Sequence, residues 1–430
     1  MIEDRIDVNI AGGLDIPLPK MVPVEVTFES PLLENIDQTV KEQFNKPEIR
    51  KKIKPGKTIA VGCGSRGVAR VAEVAKAVVS EIKSLGGKPF IFPAMASHGA
   101  ATAEGQKKVL ESYGITEDYV GCPLRATMET VVIETLEDGT KVHVDRYAAE
   151  SDGIVLINRI KVHTNFRAPI ESGIVKMMTI GMGKISGATE IHFHGFDAFG
   201  ELLPRLASII MGKLPFLFGV GVVENAQEQL ALIETIAAES LLKREPELLN
   251  RSKELMPKLL FDTIDVLIID EIGKDISGSG FDPNVTGRNN RYIPWSGPPE
   301  VQKIVLLDLT ENTHGNATGL GLADVITMTL YKKMDIASTY ANLITATYLD
   351  GANIPVIMNT EEEAVRLAVK TLRNVRPENA RIVRIKNTLE LTEILISEPM
   401  LVEVEAHPQM KASGLPSEFP FDTEGNLRAA

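Results

Sequence analysis

Thr58-Ile59-Ala60-Val61-Gly62 is a short apolar run that ends in glycine and leads through Cys63-Gly64 into Ser65-Arg66. A run of this length without polar alternation reads as a strand buried on both faces, the kind that parallel sheets use. The sequence on either side repeats the theme. Residues 68–85 carry apolar side chains at helical spacing and stop at Gly86-Gly87, a helix C-terminal signal. Lys88-Pro-Phe-Ile-Phe-Pro93 is the next strand, and 103–113 is a helix that ends at Gly114. Gly153-Ile-Val-Leu-Ile-Asn158 is another buried strand, and 216–223 a further one.

Further out the alternation continues. Residues 130–134 and 141–144 flank Glu137-Asp138-Gly139, a hairpin signal. Helices are predicted over 198–211 and 239–255, the second interrupted at Pro246. Asp265-Val-Leu-Ile-Ile-Asp270 is a strand that enters a polar, Gly-rich loop over 274–291. Strands at 303–309 and 380–386 alternate with helices at 334–345 and 360–372, and the tail from 411 reads as surface coil. Strands alternating with helices give an α/β fold. The chain is too long for one ordinary core. Two α/β domains are expected, 1–262 and 263–430, each a mostly parallel sheet covered by helices, with the active site in the cleft between them.

Composition narrows the function. The 430 residues are 44% hydrophobic and 24% charged, with net charge −12, which argues against a nucleic-acid or anionic-membrane partner. Two cysteines, Cys63 and Cys122, allow one disulfide at most and no cysteine-rich metal site. The N-terminus Met-Ile-Glu-Asp lacks the basic and apolar regions of a signal peptide. No apolar run reaches the roughly 18–20 residues that span a bilayer. The cytoplasm is the default location, and a homo-oligomer is compatible with all of this.

In doubly covered sheets, ligands bind beyond the carboxyl ends of the strands, and the unusual residues of this chain stand there. Ser65-Arg66 follows the first strand, where an arginine can clamp a carboxylate; the bland alternative is a helix start capped by Ser65. His98, in Ala94-Met-Ala-Ser-His-Gly-Ala100, follows the next strand and is either an acid/base or a backbone-bonded loop histidine. His163 follows the strand at 153, in a loop with Arg159, Lys161 and Arg167. That basic cluster suits a carboxylate or a phosphate, or is simply a solvated loop.

Glu171-Ser-Gly-Ile-Val-Lys176-Met-Met-Thr-Ile-Gly-Met-Gly-Lys184 is the strangest segment. Lys176 stands among apolar and small residues, where burial makes a lysine nucleophilic; otherwise it snorkels to water. Gly181 and Gly183 permit close backbone approach to a bound group. His192-Phe-His194 alternates, and in a strand both rings would face one side, as metal ligands do. Lys274 is the cation of the loop after Asp270.

Together these residues resemble the lactate racemase family, which uses a nickel-pincer nucleotide. The resemblance spans about residues 55–290. It rests on Ser65-Arg66, on His98 before Glu104, and on His163. Ser172-Gly173-Ile174-Val175-Lys176 with Gly181 follows, and then His192. It implies that Lys176 holds the cofactor covalently as a thioamide. It further implies that His192 ligates nickel, with His194 as the competing choice, and that His98 and His163 are the acid/base pair. Arg66 with Ser65 would orient the substrate carboxylate, and Lys274 would contact cofactor or substrate. The implied reaction is inversion of the hydroxyl-bearing carbon of a small-molecule 2-hydroxy acid, by hydride transfer coupled to proton transfer. The two stereoisomers place their hydroxyls on different sides, so two bases are needed. Cys63, and a loop after Asp270 unlike that of the lactate enzyme, mark a divergent member. Two other readings stand beside it: a metal-dependent hydrolase using His163, His192 and His194, and a non-catalytic protein that binds a nucleotide or small acid.

Overall fold

The computed structural model describes residues 5–64, 68–289, 299–345 and 348–427. These residues form two units, Glu29–Met256 and a second that joins Met1–Phe28 to Pro257–Ala430. β1 (Met21–Val26) precedes the first unit. Within that unit lie β2 (Thr58–Cys63), β3 (Lys88–Pro93), β4 (Thr130–Thr135), β5 (Lys141–Asp145), β6 (Gly153–Arg159), β7 (Phe216–Glu224) and β8 (Leu230–Ala237). After it come β9 (Thr263–Ile272), β10 (Glu300–Leu309), β11 (Val325–Thr327), β12 (Val356–Met358), β13 (Ile382–Ile385), β14 (Glu393–Ser397) and β15 (Met410–Ala412).

The sheet of Glu29–Met256 has the order β3-β2-β6-β7-β8. β3, β2, β6 and β7 run parallel, and β8 returns antiparallel to β7. Alternation along β2 shows why an unbroken apolar run was required. Ile59, Val61 and Cys63 enter the apolar cluster that includes the helix Val71–Ser84, while Ala60 enters the cluster on the opposite face. The run at 58 is thus covered on both sides, as the α/β reading requires. β4 and β5 form the expected hairpin, with Gly139 at φ 88° in its turn.

The other unit holds a sheet of order β12-β11-β10-β9-β13-β14-β1-β15. Its β12 to β13 portion is parallel; β14, β1 and β15 pair antiparallel. The domain boundary differs here from the one read along the sequence. β1 takes β14 and β15 as neighbours, so residues before Phe28 join the later unit rather than 1–262. Short strands near a terminus are placed by long-range pairing, which local periodicity does not encode.

Three smaller points bear on the sequence reading. Leu241–Leu255 runs through Pro246 without a break. Pro246 lies in the second turn, where it removes one N–H bond to the preceding turn without ending the helix. The described tail residues are mostly exposed coil, as expected, apart from Met410–Ala412, which is β15; the rings of Phe419 and Phe421 stack at 5.3 Å. Cys63 and Cys122 are both free and buried, with no disulfide. Burial pushes the Cys63 thiol up to about 12 and that of Cys122 up to about 11. Among the described residues no helix is long and apolar enough to cross a membrane.

Candidate active site

In the sheet order β3-β2-β6, the chain leaves β2 toward one side for β3 and comes back on the other side as β6. That reversal opens a crevice at the carboxyl ends of β2 and β6, the place where such sheets bind ligands. The segment after β6 folds into it. Lys161 and Ser172 form an antiparallel bridge, which closes the loop that carries His163. Asn158, near the end of β6, donates from Nδ2 to the Gly173 carbonyl at 2.7 Å. A Cβ on Gly64, at the end of β2, would lie 2.9 Å from Met177 Cε, so the end of β2 closely approaches the segment after Lys176.

Ile174–Lys176 is a single helical turn that runs directly into a π-turn, Met177–Gly181. The Met182 N–H reaches back to the Met177 carbonyl at 2.9 Å, the longer reach of a widened helix. Such widened turns concentrate at functional sites. Lys176 is the last residue before the widening. It is half-buried, and its Nζ lies 2.6 Å from His163 Nε2.

His163 is held on three sides. Its N–H donates to Glu171 Oε2 at 2.7 Å, and its carbonyl accepts from Arg167 at 2.6 Å. Its Nδ1 accepts the Asn165 N–H at 3.0 Å. A neutral ring that accepts at Nδ1 carries its proton on Nε2, a tautomer assigned from the bonding pattern. With that tautomer the Nε2–H points at Lys176 Nζ.

His192 completes the group. It ends the helix Lys184–His192 and places its Nδ1 2.7 Å from the Ala188 carbonyl. Donation there leaves the Nε2 lone pair as the outward donor. Burial holds this imidazole below its ordinary value, the Ala188 contact offsets part of the shift, and Lys176, when charged, lowers it further. The ring of Phe196 touches both histidines, with centroids 5.8 Å from His163 and 5.7 Å from His192. Phe199 lies edge-on to His192 at 5.3 Å. The structure therefore brings together His163, Lys176 and His192, separated in sequence but joined through one aromatic wall.

His194 does not share that wall. Residues 192 and 194 lie at a helix end rather than in a strand, so the rings do not face one side. His194 Nε2 pairs with the Thr140 hydroxyl at 2.8 Å instead. The basic cluster is also largely committed. Arg159 pairs with Glu224, and Arg167 with backbone carbonyls and, at 3.7 Å, with Glu171. Gly181 and Gly183 make room for the fold itself: a Cβ on Gly181 would lie 2.6 Å from the Ala94 carbonyl oxygen, and one on Gly183 3.0 Å from Gly187.

His98 lies exposed in the loop after β3. That loop is tied to the end of the π-turn, because the Ala96 N–H donates to the Gly181 carbonyl at 3.1 Å. Ser65 and Arg66 lie outside the described residues; their neighbours are fixed by the Gly64–Met177 contact and by the Ala69 N–H, which donates to Glu224 at 2.7 Å. Lys274 belongs to the other unit, where its Nζ donates to the Gly278 carbonyl at 2.6 Å. The loop expected over 274–291 is described to residue 289 and includes the short helix Pro283–Thr286.

Sequence reasoning missed a buried network beside the site. Lys184 is fully buried at φ 55°, a left-handed conformation that costs a non-glycine residue about 1–2 kcal/mol. Its Nζ lies 3.0 Å from Asp145 Oδ2, 3.0 Å from Gln106 Oε1, and against the Pro93 carbonyl. Burial pushes the Asp145 carboxyl up and the Lys184 ammonium down, while their pairing opposes both shifts. Gln106 in turn donates to the Ala96 and His98 carbonyls at 2.8 and 3.3 Å, which fixes the His98 loop. The signal was available: the argument that singled out Lys176 among apolar neighbours applies equally to Lys184.

Comparison with known proteins gives a family match and a structural neighbour. Residues 17–197 match the lactate racemase N-terminal domain, and His98, His163, Lys176 and His192 all fall inside the match. Among solved structures, the lactate racemase apoprotein from Thermoanaerobacterium thermosaccharolyticum is similar at 11% identity and a TM-score of 0.49, covering 86% of this chain and 99% of that one. No curated relative matches in sequence. Residues 17–197 are thus similar to the N-terminal domain of lactate racemase.

Proposed function

We propose that this chain is an isomerase that inverts the hydroxyl-bearing carbon of a 2-hydroxy acid, with a nickel-pincer nucleotide attached at Lys176. The observation that carries the reading is the Lys176 amine, 2.6 Å from His163 Nε2 and beside His192 at the strand-end crevice. The residues present fit such a group. Lys176 offers a half-buried amine for attachment, and His192 offers Nε2 as one nitrogen donor, which nickel accepts. Among the described residues no three His, Cys, Asp or Glu converge to hold a metal alone. A ligand that brings its own donors matches that arrangement, whereas a hydrolase built on His163, His192 and His194 does not, since His194 is engaged by Thr140.

When bound, the group supplies an electrophilic carbon that accepts and returns hydride. The chain supplies the rest. His163 and His98, on loops after different strands, take and return the hydroxyl proton for the two stereoisomers. Arg66 anchors the carboxylate, so that only the reacting carbon turns. Phe166, Phe196 and Phe199 pack about His163 and His192 and exclude water from that side. The test is interconversion of single enantiomers of a panel of 2-hydroxy acids by protein made in a host that also makes the cofactor. Racemisation of one acid supports the reading. No conversion of any acid, with a control racemase from the same host active, sinks it.

A further inference from the structure

Ile174–Lys176 is one turn long, so its N–H groups have no acceptor within their own helix. The acceptor comes from Leu241–Leu255, a helix outside the lactate racemase N-terminal match. Glu245 on that helix accepts the Val175 N–H at Oε2, 3.1 Å away, and the Ile174 N–H also bonds the carboxyl. Glu245 is 1% exposed, and its Oε1 has no hydrogen-bond partner. The space for it exists because residue 173 is glycine: a Cβ there would lie 2.2 Å from Oε1. Gly173 has φ −175°, extended backbone open to any residue, so the glycine serves space and not conformation. The same long helix contributes Lys253, whose Nζ lies 3.2 Å from Glu171 Oε1. Glu171 holds the backbone of His163 through its other oxygen.

We propose that Glu245 is a positioning residue that sets the Lys176 amine against His163 by holding the turn on which Lys176 stands, with Gly173 as the gap that admits it. The proposal rests on the reading of Lys176 as the attachment amine, but the placement can be measured without any cofactor. Glu245 touches neither substrate nor cofactor; it acts through the amides of residues 174 and 175. Burial pushes its carboxyl up to about 8, so near neutrality a carboxamide is its closest mimic.

The experiment compares the full-length wild type with Glu245→Gln, Glu245→Leu and Gly173→Ala. Trace acetic anhydride labels lysines, and peptide mass spectrometry reads Lys176 relative to the other lysines. Amide exchange of the 174–177 segment is followed in parallel, and covalent loading is measured in the cofactor-producing host. Glu245→Gln should label, exchange and load as the wild type does. Glu245→Leu and Gly173→Ala should lose selective labelling and loading at Lys176. Their 174–177 amides should exchange at least about tenfold faster, as expected when buried hydrogen bonds of about 1 kcal/mol each are lost. Gly173→Ala carries the test if Glu245→Leu does not fold. A purely structural Glu245 would lower thermal stability but leave the relative labelling of Lys176 unchanged, and that result overturns the proposal. A wild type that shows this labelling pattern but takes up no cofactor keeps the positioning role and removes the covalent-cofactor reading.

Discussion

Lys176 and Lys184 flank one π-turn, in similar apolar sequence, and end in opposite environments. Lys184 is wholly buried and meets a carboxylate, a carbonyl and a carboxamide. Its ammonium is held by two hydrogen bonds and one ion pair, and the network holds the loop of His98. Lys176 keeps partial access to solvent and meets an imidazole. A carboxylate beside a lysine holds it as the ammonium, whereas a neutral imidazole adds no charge to hold it there. Burial alone therefore does not mark the reactive lysine, and the chemistry of the partner does.

The sharpest break of this comparison is to remove each amine. Lys184→Met leaves the Asp145 carboxyl buried without its cation, and loss of about 3–5 kcal/mol is expected, read from urea unfolding. Lys176→Ala should change stability by less than about 1 kcal/mol and yet abolish covalent loading. Equal destabilisation by the two substitutions would erase the distinction. His98→Ala and His163→Ala come next: each should lower turnover by about 10²–10⁴-fold while the cofactor stays attached, measured by chiral assay beside intact mass. Retention of full activity in either removes it from the acid/base pair.

A pH dependence separates the anchoring of the two ends. Glu245 is raised from an ordinary value near 4.5 up to about 8. Between those values the folded chain keeps a proton that the unfolded chain has released. The contribution of Glu245 to stability is therefore full below about 4.5 and declines as pH rises toward about 8. Glu245→Gln should flatten this slope in unfolding midpoints taken across that range, and parallel slopes would contradict the assigned burial. The smallest effect is expected at the histidine pair. His194→Ala should cost about 0.5–1.5 kcal/mol through the lost Thr140 bond and leave nickel content unchanged, whereas His192→Ala should lower the nickel. The reverse pattern would exchange their roles.

What was legible in the sequence follows from which interactions are local. β2 and β6 were visible because strands covered on both faces must be apolar throughout. His98, His163 and Lys176 were visible because strand ends and apolar surroundings are sequence-local features. The pairing of β1 with β14 and β15, the π-turn after Lys176, and the continuity of the helix through Pro246 depend on neighbours far away in the chain. Glu245 and Glu171 were missed for the same reason: a glutamate in a charged stretch reads as solvated until its acceptor role is seen. His192-Phe-His194 misled because alternation over three residues fits a strand and a helix end alike.

The central claim is that Lys176 is a nucleophile poised to carry a cofactor. It is tested most directly by an intact-mass spectrum and metal analysis of the wild-type chain, purified from a host that makes the nickel-pincer nucleotide. The account predicts a mass addition that maps to Lys176, with about one nickel per chain, in keeping with a single His donor and a ligand that brings the rest. An unmodified mass without nickel, beside a loaded control racemase from the same host, would contradict it.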